Sequence, residues 1–250
     1  MTRVVISVAT TTYYQRGQDR LGAALKELGE TGRFWRFIPP DWPQHKKVPY
    51  AFKAYALKEA SEHADLLLWC DACMIPVRPL GPLWERIERD GYWMGKDGWN
   101  NYEWTADSGY PDLFPEFQRS SNYDGDSARA QNRAIPHVCA TAFGLNLKHA
   151  KGKAFLEEYY RLASQTKAFC GPWRNANHPN HAAVVGDWGG RMLPCGPPDV
   201  RGHRHDQTAA SVIAWRLGFE LTEPPNVMTW GDPEEAVEEE TFLIAHGDYA

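Results

Sequence analysis

The stretch Arg3-Val-Val-Ile-Ser-Val-Ala-Thr10, closed by Thr11-Thr12, decides the fold. A β-branched run with almost no polar interruption predicts a strand buried on both faces, the mark of a parallel sheet covered by helices on each side. Downstream, Gln18 to Leu28 places Leu21, Ala24, Leu25 and Leu28 on one face of a predicted helix. Phe34 to Ile38 reads as a second strand closed by Pro39-Pro40, and Pro49 is placed to open a helix running to about His63. Leu66 to Cys70 (LLLWC) predicts a third strand with Asp71 at its C-terminal end. A short helix (Leu80 to Arg89), a short strand (Tyr92 to Gly95), a strand from His137 to Asn146 and a helix from Leu147 to Ala163 follow. A helix from Asp206 to Leu217, stopped by Gly218, and a last strand from Phe242 to Ala245 complete the pattern.

The alternation predicts an α/β class: a Rossmann-like, mostly parallel sheet flanked by helices, in a single domain over residues 1–250 with long loop insertions. Periodicity dissolves over residues 96–136, rich in Gly, Asn, Asp, Ser and Tyr, and again from Gly171 to His205. Both read as functional loop regions.

Composition narrows the class. The net charge of −5 owes six acids to the run Asp232 to Glu240, so the rest of the chain is close to neutral. No basic block or nucleic-acid motif occurs. Five cysteines, no apolar run of membrane-spanning length and no leader pattern lead to the expectation of a reduced, cytoplasmic protein without a membrane. Among eleven tryptophans, Trp99, Trp104, Trp173 and Trp188 stand in polar, Gly-rich surroundings, where a flat ring suits a sugar or base face. Packing under loops explains such residues as well.

Two features converge. The Thr10–Thr12 turn and Asp71 each leave the C-terminal end of a strand, the edge at which open α/β sheets bind ligands. With neither G-x-G-x-x-G nor G-x-x-x-x-G-K-[ST] in the chain, the dinucleotide and P-loop readings are poor.

Tyr50-Ala-Phe-Lys-Ala-Tyr-Ala-Leu57, followed by Leu67-Leu-Trp-Cys-Asp-Ala-Cys73, resembles the GT-A-fold glycosyltransferases, in which a Lys-bearing helix precedes a strand ending in Asp-x-Asp. Phe143-Gly-Leu-Asn146, Gly202-His-Arg-His-Asp-Gln207 and His246-Gly247 continue the resemblance in order over most of the chain. It implies a nucleotide-sugar donor on Ala9, Thr10, Thr12, Lys53 and Asp71. A divalent cation, Mn or Mg, would sit at Asp71 and His246, with Asp206 as the catalytic carboxylate. Trp99, Trp173, His205 and Gln207 would stand on the acceptor side, within or beside the 96–136 insertion. The sequence departs from the pattern at Cys73, where the second acid is expected, and a thiol weakens a hard-cation site.

Plainer readings stand beside these. Asp71 suits a turn after a strand, Lys53 a solvated helix face and Asp206 a helix N-cap. The acceptor is a glycan, a small molecule or a hydroxylated base in DNA, as some bacteriophage transferases use. The last is compatible with Arg119, Arg129 and Arg133 but has no motif behind it. Two rivals remain. One is a metal-dependent hydrolase built on His178, His181, His203 and His205 with Asp187. The other is a non-catalytic carbohydrate-binding protein, favoured if Asp71 and Asp206 lie far apart.

Overall fold

The computed structural model describes residues 1–119, 122–180, 192–223, 227–233 and 238–247. Its strands are β1 (Arg3–Val8), β2 (Gly32–Trp35), β3 (Leu66–Cys70), β4 (Met74–Pro76), β5 (Tyr92–Asn100), β6 (Gln118–Arg119), β7 (Asn122–Tyr123), β8 (Pro136–Asn146), β9 (Arg174–Asn175), β10 (Met192–Leu193), β11 (Val227–Trp230) and β12 (Thr241–Ala245). The helices are α1 (Thr12–Glu27), α2 (Ala51–Ala60), α3 (Gly81–Asp90), α4 (Tyr110–Leu113), α5 (Gly125–Arg133), α6 (Ala150–Gln165) and α7 (His205–Arg216).

The central sheet has the order β2-β1-β3-β8-β5. β1 pairs in parallel with β2 and β3, whereas β8 runs antiparallel to both β3 and β5. Four of its five strands therefore point the same way, with β8 alone reversed, which is the mostly parallel sheet expected from the sequence. That reversal has a consequence for the site. The C-terminal ends of β1, β3 and β5 and the N-terminal half of β8 share one edge.

Alternation along β1 sorts its side chains between two cores. Val4, Ile6 and Val8 join Leu67 and Trp69 under α2, α6 and α7. Val5 joins Leu66, Leu68 and Cys70 under α1 and α3. Each buried side chain of this size stabilises the fold by roughly 1.5–3 kcal/mol. Gly144 lies where α3 presses on the sheet. A Cβ there would stand 2.2 Å from Ile87 Cδ1, which accounts for the glycine in the Phe143–Asn146 motif.

The region 96–136 is more ordered than its composition predicts. β5 continues to Asn100, and short helical turns, α4 and α5 follow. Tyr110, Leu113 and Phe114 reach the main core, and Tyr102 and Trp104 are buried as well. Aromatic anchors at irregular spacing hold this segment, so no period betrays it. β4 and β11 were also absent from the expectation; with β12 they form a small sheet of order β11-β12-β4. Among the described residues, no helix is long and apolar enough to cross a membrane.

Candidate active site

Two helices deliver the central charges, and both begin on a strained residue. Tyr50, the N-cap of α2, has φ 58°, and His205, the first residue of α7, has φ 46°. Left-handed backbone at bulky non-glycine residues is costly and tends to collect at functional sites. Their rings lie 6.0 Å apart, with Trp173 edge-on to both at 5.6 and 4.5 Å. Close behind Tyr50 comes Lys53; next to His205 comes Asp206.

Lys53 Nζ stands 2.9 Å from Asp206 Oδ2, 3.0 Å from Asp71 Oδ1 and 2.9 Å from the Ala140 carbonyl. Hydrogen bonds to Ala140 and Asp71 and an ion pair to Asp206 hold the ammonium in place. Lys53 and Asp206 side chains are each 3% exposed, against 29% for Asp71. Trp69 Nε1 donates to Asp71 Oδ1 at 2.8 Å and fixes that carboxylate. Burial alone would strip the proton from Lys53, but the carboxylates of Asp206 and Asp71 outweigh it and hold its pKa above the ordinary value. Burial also pushes the Asp206 carboxyl upward, against the pull of Lys53. Two acids around one ammonium leave the cluster with one net negative charge.

This cluster forms the floor of a cavity of about 740 Å³ at the shared strand edge. Of the expected residues, Thr10, Lys53, Asp71, Trp99, Trp173, Asp206 and Gln207 line it. Others do not. Ala9 is buried with its N–H on the Trp35 carbonyl, and Thr12 opens α1 while Tyr13 and Tyr14 face the cavity. His205 is fully buried, donating from Nδ1 to the Phe169 carbonyl at 3.0 Å. Two further roles shift. Lys53 is no solvated helix residue, because its side chain is buried between Asp71 and Asp206. Asp206 is not the cap of α7, because Arg204 holds that position.

Sequence reasoning missed Tyr13, Tyr14, Asp97, Arg204 and Trp230, all of which face the cavity. Asp97 lies inside β5, which runs on past Gly95 to Asn100, so no strand-end rule marks it. Its Oδ2 lies 2.8 Å from His137 Nδ1, and the imidazole behind it is 1% exposed. Gly202 explains part of the Gly202–Gln207 motif, because a Cβ there would meet the Trp173 carbonyl oxygen at 2.1 Å.

The donor atoms present fit a divalent cation poorly. Asp71 is engaged by Lys53 and Trp69, and burial pushes the Cys73 thiol up to about 12, so it stays protonated. His246 donates from Nδ1 to the Gly231 carbonyl at 3.0 Å and is not part of the cavity lining. Among the described residues no three His, Cys, Asp or Glu side chains form a metal cage.

The hydrolase rival loses its ligands in the same way. His203 accepts from Ala106 N–H at Nδ1 and donates from Nε2 to the Ala168 carbonyl, and His205 is held by Phe169. His178 Nδ1 accepts from the Asn180 N–H. His181, Asp187 and Trp188 lie outside the described residues. The carbohydrate-binding rival required Asp71 and Asp206 to be far apart, and one ammonium bridges them.

No protein-family profile and no curated protein sequence matches the chain. Among solved structures it is similar to a glycosyltransferase involved in the glycosylation of the major capsid of PBCV-1. The TM-score is 0.52 at 9% identity, over 98% of this chain and 93% of that one. That likeness is one of fold. The galactosyltransferase LgtC with donor and acceptor sugar analogs overlays more loosely, with a TM-score of 0.33 at 16% identity over 89% of this chain and 98% of that one. An active-site mutant of LgtC gives 0.32 at 18% identity over 65% and 66%; neither overlay bears on the argument.

Proposed function

We propose that this protein transfers a sugar from a nucleotide-sugar donor to an acceptor hydroxyl. The observation that carries the reading is the Asp71–Lys53–Asp206 cluster on the floor of a cavity at the C-terminal ends of β1 and β3. The fold shared with the capsid-modifying glycosyltransferase supports it. The donor lies across Thr10, Tyr13 and Tyr14, with its sugar over Asp71, whose partly exposed carboxylate accepts from sugar hydroxyls. Lys53 holds Asp71 in place, and Asp206 acts through Lys53 rather than as a free base.

In the transfer, an acceptor oxygen attacks the anomeric carbon, the bond from that carbon to the diphosphate breaks, and the nucleoside diphosphate leaves. If configuration inverts, the hydroxyl proton passes to a carboxylate open to the cavity, and Asp97, backed by His137, is placed to take it. Residues 96–136 supply Asp97 and Trp99 and form the acceptor side, together with Trp173 and Gln207. No step is routed through a metal. The DNA acceptor has lost its support: Arg129 is paired with Asp107 and Asp126, and Arg133 with Asp199.

Calorimetric titration with uridine, guanosine, cytidine and thymidine diphosphate sugars, with and without Mn²⁺, tests the reading. Binding of at least one donor is expected; binding of none across a broad panel overturns it.

A further inference from the structure

Arg204 is a half-buried charge with no ion-pair partner among the described residues. Its guanidinium lies 4.3 Å from the centroid of the Trp104 ring and lines the cavity. Among the described residues its side chain makes no hydrogen bond and no ion pair; only its backbone bonds, the N–H to Thr208 Oγ1 and the Trp104 carbonyl, the carbonyl to the Gln207 and Thr208 N–H groups. Its neighbour in sequence shows the contrast. Arg201 lies over Trp99 at 4.0 Å but is paired with Glu103 at 2.9 Å. Removing a cation from water without a partner is expensive, and burial does lower the Arg204 pKa from its ordinary value, although an arginine stays charged at neutral pH. Trp104, over which it lies, has its ring 6.3 Å from that of Trp99 on β5 and 6.4 Å from that of His137 on β8, the imidazole that holds Asp97. In the order β2-β1-β3-β8-β5, strands β8 and β5 lie two and three places from β1, roughly 10–15 Å at the usual strand spacing.

We infer that the acceptor carries an anionic oxygen group, a phosphate ester or a carboxylate, and that Arg204 binds it against the face of Trp104. The inference rests on the transfer reading in placing donor and acceptor, and it names the acceptor's chemistry. A planar guanidinium already stacked on an indole presents its N–H fork in a fixed direction, which suits both oxyanions. An anion there would stand on the same side of the cavity as Asp97, so the group and the reacting hydroxyl belong to one acceptor molecule.

The test is a site-resolved NMR titration of the ¹⁵N-labelled full chain with methyl phosphate, acetate and glucose, following the Arg204 Nε–H and the Trp104 indole N–H. Both anions are expected to move the two signals saturably, with the tighter one naming the group, and glucose is not. In Arg204→Gln the Trp104 response should weaken about ten- to a hundredfold, as loss of a charged hydrogen-bonding partner implies. Arg204→Lys, which keeps the charge, should retain part of it and guards against a mere folding defect. Unmoved signals, or a Trp104 response of equal strength in Arg204→Gln, overturn the inference. Titration of the same samples with the nucleotide-sugar panel separates the two readings. An Arg204→Gln variant that binds donor about tenfold more weakly would put Arg204 at the diphosphate and overturn the acceptor assignment. Anion binding at Arg204 with no donor bound by any sample would sink glycosyl transfer and leave the anion subsite standing.

Discussion

Asp206 reaches Lys53 at 2.9 Å from a different helix, and both side chains are almost wholly buried. The pair fastens α7 to α2 beneath the cavity, and Asp71 closes the cluster from β3. Removing Lys53 would leave two carboxylates facing each other without a cation. Breaking a buried pair of this kind costs about 3–5 kcal/mol, so Lys53→Met should lose that much in urea unfolding. Asp206→Asn leaves Lys53 balanced by Asp71 and should cost less.

If Asp206 acts through Lys53, the two positions are coupled in turnover as well as in stability. A Lys53→Met/Asp206→Asn double variant should then be little slower than the worse single variant. Full additivity of the two losses, measured as kcat/KM, would separate the residues and return Asp206 to an independent role.

Acid sensitivity follows from the histidines that hold the Gly171–His205 segment. Burial holds His203 down at about 4, and His205 is lowered as well. Between pH 6.5 and about 4 the unfolded chain binds protons that the folded chain refuses, so stability falls as pH is lowered. Each histidine contributes up to about 1.4 kcal/mol per pH unit. Asp206 works in the opposite sense, because its raised carboxyl pKa relieves a buried charge as pH falls. Urea unfolding from pH 7 to pH 5 should show a shallower loss in His203→Asn than in the wild type. An identical slope would mean that His203 is not buried neutral.

Cys73 and His246 bear on metal dependence. With the Cys73 thiol protonated and His246 off the cavity lining, donor binding and turnover should persist in excess EDTA. Abolition by EDTA with full rescue by Mn²⁺ would contradict the donor set described above, and would show that the donor's own oxygens complete a site on Asp71.

Trp99 is 40% exposed at the cavity rim, stacked on Arg201. Trp99→Ala should raise the acceptor KM while leaving donor affinity and melting temperature nearly unchanged. Trp173, wedged between Tyr50 and His205, should behave differently and lose stability on truncation. Equal effects of Trp99→Ala on donor and acceptor would move it off the acceptor side.

Strong periodicity made much of the fold legible. β1, β3, α7 and the placement of Asp71 at a strand end were all readable, because apolar runs and helical spacing are local signals. The antiparallel β8 was not, since strand direction is set by the path of the intervening 96–136 segment, and irregularly spaced aromatics fix that path. For the same reason Asp97 went unread, as β5 continues into a stretch whose Lys, Asp, Gly and Asn disguise a strand. Lys53, Asp71 and Asp206 were each singled out separately. Their union around one ammonium depends on three elements distant in sequence, and no spacing announces it. Motif order puts His205 on the acceptor side, whereas its ring is buried against the Phe169 carbonyl.

The central claim is that Asp71 holds the donor sugar for transfer. Its most direct test is ³¹P NMR of nucleotide-sugars incubated with the wild type and with Asp71→Asn, with water as the stand-in acceptor, reading hydrolytic release of nucleoside diphosphate. The wild type should consume at least one donor, and Asp71→Asn should be slower by about 10² or more, since the neutral amide no longer accepts from the sugar hydroxyls as a charged group does. Consumption of that donor by Asp71→Asn at the wild-type rate would contradict the account.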